Sequence, residues 1–392
     1  MNNIQLCDRL TCTQCMACVN VCAKNCIRMV DAGEGFYIPQ INADTCIKCG
    51  ACMKVCHILS PIVKYHTPLK IFACWTKNKE DRKKSSSGGA FSVLARRVLS
   101  KNGVVFGATM DTNLQVKHIF VDKLDEMIKL QGSKYVQSYL GNIYKDVREF
   151  LRQGRLVLFT GTPCQVAGLL SFLRKEYDNL ITCDMVCHGV PSQRAFDIFC
   201  DRTHIKGTCQ GVSFRFTEGW GFQLARELVV STTSIDSNST HIVRKVVYPH
   251  KSWYMRAFNK GLMFNEPCFS CIYSIPQRVS DFTMADYWGL GAKSSFKHST
   301  FRGVSMLLVN NQKAIDFINE CSDLVFEERS LDEAIEGNHN LSHSSERPDG
   351  RETFIQDMQT MEPHALLMKY GIKESPRDYL RLLKQWINSK RI

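Results

Sequence analysis

One eleven-residue cysteine pattern occurs twice near the start of this chain. Cys12-Thr-Gln-Cys15-Met-Ala-Cys18-Val-Asn-Val-Cys22 returns as Cys46-Ile-Lys-Cys49-Gly-Ala-Cys52-Met-Lys-Val-Cys56. Segments this short cannot bury enough apolar surface to hold themselves together, so the thiols and what they bind must do it. Ten of the nineteen cysteines lie within the first 56 residues, which marks a module rather than a scatter. In a short secreted chain such density means disulfides. In a chain of 392 residues whose opening, Met1 to Leu10, has no apolar core, it points to metal binding and a cytoplasmic protein.

The C-x2-C-x2-C-x3-C spacing is that of bacterial ferredoxins. Three thiolates wrap one iron–sulfur cubane, and the fourth, one helical turn on, reaches across to the other. Cys12, Cys15, Cys18 and Cys56 are therefore assigned to one [4Fe–4S] cluster, and Cys46, Cys49, Cys52 and Cys22 to a second. Zinc knuckles use two separated C-x2-C pairs and do not need two complete quartets. The proline that usually follows the fourth cysteine is replaced by Ala23 and His57. His57 reads as an exposed loop histidine, or as a group that raises a cluster's potential when protonated, and Cys7 and Cys26, outside the spacing, as packing residues. Ile27 to Val30 and Phe36 to Ile41 read as a strand hairpin joined at Asp31-Ala-Gly33. This two-cluster domain is expected over 1–64, with Pro61 to Pro68 as the linker onward.

The formal charge of +12 shrinks once clusters are counted. Each oxidised cubane with four thiolates carries about −2, so two or three leave roughly +6 to +8. That excess reads as a solvated surface, or as steering toward an acidic redox donor such as ferredoxin. No basic run is interleaved with aromatics, which disfavours nucleic acid, and no apolar run reaches the length of a membrane span.

Beyond the linker the pattern becomes mixed α/β, or α+β, with a large body expected over 69–150 and 151–320 and a mostly helical extension over 321–392. Strands are expected at Lys70 to Thr76, Val104 to Ala108, Gln115 to Val121, Arg155 to Thr160, Leu180 to Val186, Val212 to Phe216, Leu224 to Val230 and Gly303 to Val309. Helices are expected from Ser85–Gly89 to Ser100, with Phe91, Leu94, Ala95, Val98 and Leu99 inward, and at Asn142 to Arg152, after Gly161, and at Gln312 to Glu320. Ser231 to Thr240 reads as a polar loop, and a last helix as running from Ser375-Pro376 to Trp386. Cys74, Cys183, Cys200, Cys209 and Cys321 read as core.

Three stretches carry groups suited to a nucleotide or flavin. Ser85, Ser86, Ser87, Gly88 and Gly89 open a helix, as do Gly161 and Thr162, and either turn is a phosphate cradle or simply a cap. Gly132, Ser133, Lys134, Tyr135, Gln137 and Ser138 combine charge for a pyrophosphate, a ring for stacking and amides for ring polar atoms, or form an ordinary loop. No G-x-G-x-x-G follows a strand, which disfavours a standard dinucleotide fold. Cys164 and Cys187 each follow a buried strand, and Cys268-Phe-Ser-Cys271 adds a C-x2-C pair. Together these make a third cluster, a zinc site, or four separately buried cysteines.

Taken jointly, Ser85 to Ala90, Gly132 to Ser138, Gly161-Thr-Pro-Cys-Gln165 and Cys187-His-Gly-Val-Pro-Ser192 resemble the coenzyme F420 hydrogenase/dehydrogenase beta-subunit family. Cys268-x-x-Cys271, Asp281-Phe-Thr-Met-Ala-Asp286 and Trp288-Gly289 fit its C-terminal half. The resemblance implies FAD held by the three stretches above and a body cluster on Cys164, Cys187, Cys268 and Cys271. It also implies an anaerobe-type oxidoreductase moving electrons between clusters and flavin to a small organic acceptor or deazaflavin. The alternative is a non-catalytic electron-transfer subunit of a larger complex. His188 is a candidate proton donor or a backbone-capping residue, and no catalytic acid is assigned.

Overall fold

The computed structural model describes residues 4–203, 209–215, 229–236, 239–246 and 253–372. The expected final helix from Ser375 lies outside these residues, as does most of the strand expected from Leu224.

In the N-terminal module, β1 (Ile27–Asp31) and β2 (Tyr37–Ile41) form an antiparallel hairpin, pairing Ile27 with Ile41 and Asp31 with Tyr37. Its turn runs through Gly33, Glu34 and Gly35, all at positive φ, so the second strand starts one residue later than expected. The two cysteine runs lead into short helices, α1 (Ala17–Val21) and α2 (Ala51–Lys54). Each loop turns through left-handed backbone at equivalent points, Gln14 and Met16 in the first, Lys48 and Gly50 in the second. Left-handed backbone at a non-glycine residue costs about 1–2 kcal/mol, so the repeat retains a strained loop shape as well as a cysteine spacing.

The body is built on one eight-stranded mixed sheet. Its strands are β3 (Lys70–Thr76), β4 (Val104–Met110), β5 (Val116–Val121), β6 (Val157–Thr160), β7 (Leu180–Met185), β11 (Phe282–Asp286), β12 (Ser305–Val309) and β13 (Leu324–Glu328). They run in the order β13-β3-β12-β11-β7-β6-β4-β5. β4, β6, β7 and β11 are mutually parallel, and the outer neighbours pair antiparallel. Parallel strands covered on both faces must be apolar on both, and every residue of β6 is buried. Alternation still divides the two faces. Val105, Leu158 and Ile181 face α4 (Ala90–Ser100), while Val104, Phe106, Val157, Phe159 and Leu180 face α5 (Ile143–Arg152) and α6 (Pro163–Leu173). On α4, Val93 takes the buried place expected of Phe91, which is only half-buried.

Three further points depart from the sequence reading. The stretch expected as a loop at Ser231 to Thr240 contributes to a hairpin, β9 (Val229–Asp236) with β10 (Ser239–Val246), joined to β8 (Cys209–Ser213). Thr232, Thr233 and Ile235 are β-branched and favour a strand, against the Ser and Asn residues that read as a loop. The segment beyond Glu320 begins with β13, an edge strand of the main sheet, before it becomes helical. His57 is buried, at 1% exposure. Of the cysteines read as core, Cys74, Cys183, Cys200 and Cys321 are buried. The Cys209 side chain lies outside the described residues.

The module sits directly on the body. α1 packs on α6, where Gly168 leaves room: a Cβ there would lie 2.8 Å from the Cys15 Cβ and 2.8 Å from the Tyr144 hydroxyl. At the other end the hairpin tip is clamped. Arg351, fully buried, donates to both carboxylate oxygens of Glu34 at 3.2 and 2.7 Å and to Glu266 at 2.9 Å. Arg9 donates to Glu34 at 3.1 Å. Glu34→Ala is expected to lower stability by about 1–3 kcal/mol, the value of charge-assisted bonds lost from a buried partner. Denaturant unfolding reads the loss, and an unmoved midpoint would mean that the clamp holds nothing.

Candidate functional site

Two small cavities lie inside the N-terminal module, each with about 380 Å³ of empty space. Cys12, Cys15, Cys18 and Cys56 line the first, and Cys22, Cys46, Cys49 and Cys52 the second. The crossing of each fourth cysteine to the other repeat's cavity follows from the helical turn between third and fourth thiol. Among the described residues no three His, Cys, Asp or Glu side chains converge on a single-ion point. The thiols surround a volume instead, as a cubane requires. Cys7 and Cys26, read from sequence as packing residues, also face these cavities.

Cys164 is the second residue of α6, Cys187 follows β7, and Cys268 and Cys271 sit on the turn Glu266–Ser270 and just past it. The fold brings the four together. Burial pushes the Cys164 and Cys187 thiols up to about 12, and Cys271 pushes both the same way. Cys268 is raised by burial and then by Cys187, Cys164 and Cys271. The first cavity and this quartet share neighbours. The Tyr273 hydroxyl is raised by burial and then by a group of neighbours that includes Cys164, Cys15 and Cys271. Tyr273 also hydrogen-bonds His57 Nδ1 at 2.6 Å, while His57 Nε2 meets Thr13 Oγ1 at 3.0 Å. His57 is therefore a buried link in the module–body seam.

The quartet also borders a hollow in the body, about 2220 Å³ of empty space open to solvent, whose wall includes Cys164 and Cys187. Ser85, Ser86, Ser87 and Gly89, then Gly132 to Ser138, then Gly161 and Thr162 line it. Gly88 does not: a Cβ there would lie 2.3 Å from the Cys74 carbonyl oxygen, so this glycine seats the turn on β3. Ser86 joins two of the three stretches, its Oγ accepting from Ser133 N at 2.8 Å. Gly89, at φ +88°, starts α4. Gln165 Oε1 accepts from Thr162 N at 3.0 Å and closes a capping box on α6 behind Pro163.

Two residues hold positions other than those their composition suggested. Burial pushes the Lys134 amine down to about 7, and it donates to the Gln131 and Leu130 carbonyls at 2.7 and 3.1 Å. Those carbonyls follow the turn Asp125–Lys129, so the amine is hydrogen-bonded within its own loop on the wall of the hollow. Tyr135 meets Phe258 edge-on at 4.7 Å, and its hydroxyl accepts from Arg215 at 2.9 Å. Arg215 in turn pairs with Asp286 at 2.5 Å and donates to the Ser86 carbonyl at 3.2 Å. Asp286 thus acquires the role that sequence left blank: it anchors the guanidinium that ties Tyr135 to the serine turn. Two buried atoms on the lining have no partner, Ser87 Oγ and Gln137 Oε1.

Sequence reasoning missed His118, Gln165 and Arg215, although Gln165 stood inside the quoted Gly161 motif. Buried His118 must donate from Nε2 to the Thr160 carbonyl at 3.0 Å, so its Nδ1 accepts from Ser138 Oγ at 2.7 Å. Ser138 Oγ accepts from Gln165 at 3.0 Å. The ring is locked neutral, and burial pushes its pKa from 6.5 down to about 4. An unfolded chain therefore binds this proton first. The stabilisation is whole above pH 6.5 and drains away as pH falls toward 4, by about 3 kcal/mol in all. Urea midpoints at pH 7 and pH 5 should show the loss, and His118→Gln should shrink it to the share left by buried His57, whose pKa burial also pushes down to about 4. An equally steep fall in that variant would locate the acid sensitivity elsewhere. His188, on the same wall, meets Asn340 Oδ1 through Nδ1 at 2.8 Å.

No described helix is long and apolar enough to cross a membrane. Residues 11–58 match the 4Fe-4S dicluster domain. Residues 71–144 match the N-terminal part, and 154–334 the C-terminal part, of the coenzyme F420 hydrogenase/dehydrogenase beta subunit. No curated protein matches the chain. Among solved structures it is similar to a chain of the xenon-derivatized F420-reducing [NiFe] hydrogenase complex from Methanosarcina barkeri. The identity is 14% over 78% of this chain and 92% of that one, with a TM-score of 0.47. The chain belongs to the coenzyme F420 hydrogenase/dehydrogenase beta-subunit family, an oxidoreductase-type iron–sulfur family of electron-transfer subunits, and carries a 4Fe–4S dicluster domain ahead of the family's two halves.

Proposed function

We propose that this protein is an FAD-dependent iron–sulfur oxidoreductase that takes electrons from a redox protein and passes them to a small organic acceptor or a deazaflavin. The observation that carries the reading is Cys164 and Cys187, shared between the four-thiol quartet and the wall of the large hollow. When bound, cubanes supply single-electron exchange and a flavin supplies the change to two-electron chemistry.

Several arrangements of the chain's own residues support the reading. The three thiol sets lie in series, the outer cavity with exposed Cys49, the inner cavity against α6, and the quartet beyond Tyr273. Ser87 Oγ and Gln137 Oε1 are unpaired acceptors on the lining, suited to a polar ring edge or ribityl hydroxyl. Trp288, His188 and Asn340 also line the hollow and offer the acceptor an aromatic ring and polar groups. Exposed Lys24 just follows the first cysteine run, and exposed Lys48 and Lys54 lie within the second, matching an acidic donor such as ferredoxin.

Purification without oxygen, with iron, sulfide and flavin quantified together, tests the reading, followed by reduction of candidate acceptors. About twelve irons with bound FAD are expected. About eight irons with no flavin would reject the flavoenzyme and leave only the two-cluster module.

A further inference from the structure

Each cavity of the N-terminal module holds one thiol more than a cubane binds. Cys7 joins Cys12, Cys15, Cys18 and Cys56 around the first, and Cys26 joins Cys22, Cys46, Cys49 and Cys52 around the second. Both extra thiols take up the same relation to their cavity. Cys7 Sγ lies 3.5 Å from Cys56 Sγ, and Cys26 Sγ lies 3.3 Å from Cys22 Sγ. Cys56 and Cys22 are the remote members of their sets, the ones that cross from the other repeat.

Duplication does not explain the match. One repeat length after Cys7 stands Ile41, and one repeat length after Cys26 stands Ser60. One thiol precedes its run and the other follows it, yet each arrives against the crossing cysteine. Both are buried, at 8% and 7% exposure, so water does not occupy the place they fill. The backbone N–H of Cys26 is aimed at the same sulfur, 3.4 Å from Cys22 Sγ.

A thiol is a weak donor, and a ligand sulfur carrying cluster charge is an acceptor that grows stronger when the cluster is reduced. A donor held there favours the more negative state and so raises the reduction potential. We infer that Cys7 and Cys26 are not ligands but S–H donors to the crossing ligands Cys56 and Cys22, each raising the potential of one of the two clusters. The inference rests on cubanes filling both cavities, and does not depend on the flavin or on the third quartet.

The test uses the full chain, isolated without oxygen, as Cys7→Ala and Cys26→Ala. Iron content and the midpoint potential of each N-terminal cluster are read by titration followed by electron paramagnetic resonance. The expected result is unchanged iron, with the potential of one cluster lowered in each variant and the other unmoved. Cys7→Ser and Cys26→Ser keep a donor of similar volume and should stay closer to the parent potential than the alanine variants do. Full iron with unmoved potentials overturns the donor role, as does a serine variant that falls as far as alanine. Loss of about four irons from either variant also overturns it, by making the extra thiol the true fourth ligand in place of Cys56 or Cys22. Absence of iron from the parent chain would instead defeat the cluster reading itself.

Discussion

Cys268→Ser protein, isolated without oxygen, is expected to carry about eight irons against the about twelve proposed for the parent. Cys268 lies among Cys164, Cys187 and Cys271, so the loss should be confined to that cluster. A hydroxyl in place of the thiol keeps the volume but is a poor ligand for iron. Because Cys164 and Cys187 form part of the hollow's wall, the same variant should keep the proposed flavin yet lose electron delivery to it from the N-terminal side. Photoreduction of the flavin, compared with reduction through the dicluster module, separates the two effects. A variant that retains twelve irons would remove the quartet from the electron path.

The second large effect is expected at Arg278. Its side chain is buried and reaches Asp184 at 3.1 Å, Thr283 Oγ1 at 3.1 Å, and the Tyr273 and Ile275 carbonyls at 2.9 and 3.1 Å. Burial pushes the Asp184 carboxyl up, and Arg278 opposes that push. Its backbone exchanges two hydrogen bonds with His66 at 2.7 and 2.8 Å, tying the linker to the same loop. One residue therefore pins the loop that carries Cys271 and Tyr273 to both sheet and linker. Arg278→Ala leaves Asp184 buried without its partner and is expected to cost about 3–5 kcal/mol of stability. Replacing both charges, as Arg278→Met with Asp184→Asn, should cost less, because no lone buried charge remains. Denaturant unfolding of the three proteins decides it. A loss below about 1 kcal/mol for Arg278→Ala would mean that solvent reaches the carboxylate.

The paired cysteine runs were readable because their chemistry is local. Three ligands within seven residues and a fourth one helical turn on leave few arrangements, and the two cavities follow from them. Strands such as β3 and helices such as α5 were readable for a similar reason, since their periodicity is set by burial on one side. Lys134 and Tyr135 were harder. Composition shows an amine and a ring but not what already occupies them, and here carbonyls hold the one and Arg215 with Phe258 the other.

His57 and Gly88 show the same division. A histidine after a cluster loop looks exposed until a body tyrosine more than 200 residues away covers it. A glycine in a serine turn looks like a phosphate cradle until a strand carbonyl is found where its side chain would be.

By itself the sequence determined the two N-terminal thiol quartets and the mixed character of the body, because spacing and periodicity act over a few residues. Only the tertiary structure decided how Cys164, Cys187, Cys268 and Cys271 meet, how Arg215 serves Asp286 and Tyr135, and where Cys7 and Cys26 point. Those relations join residues whose separation along the chain says nothing of their separation in space, and sheet order and helix packing alone set it.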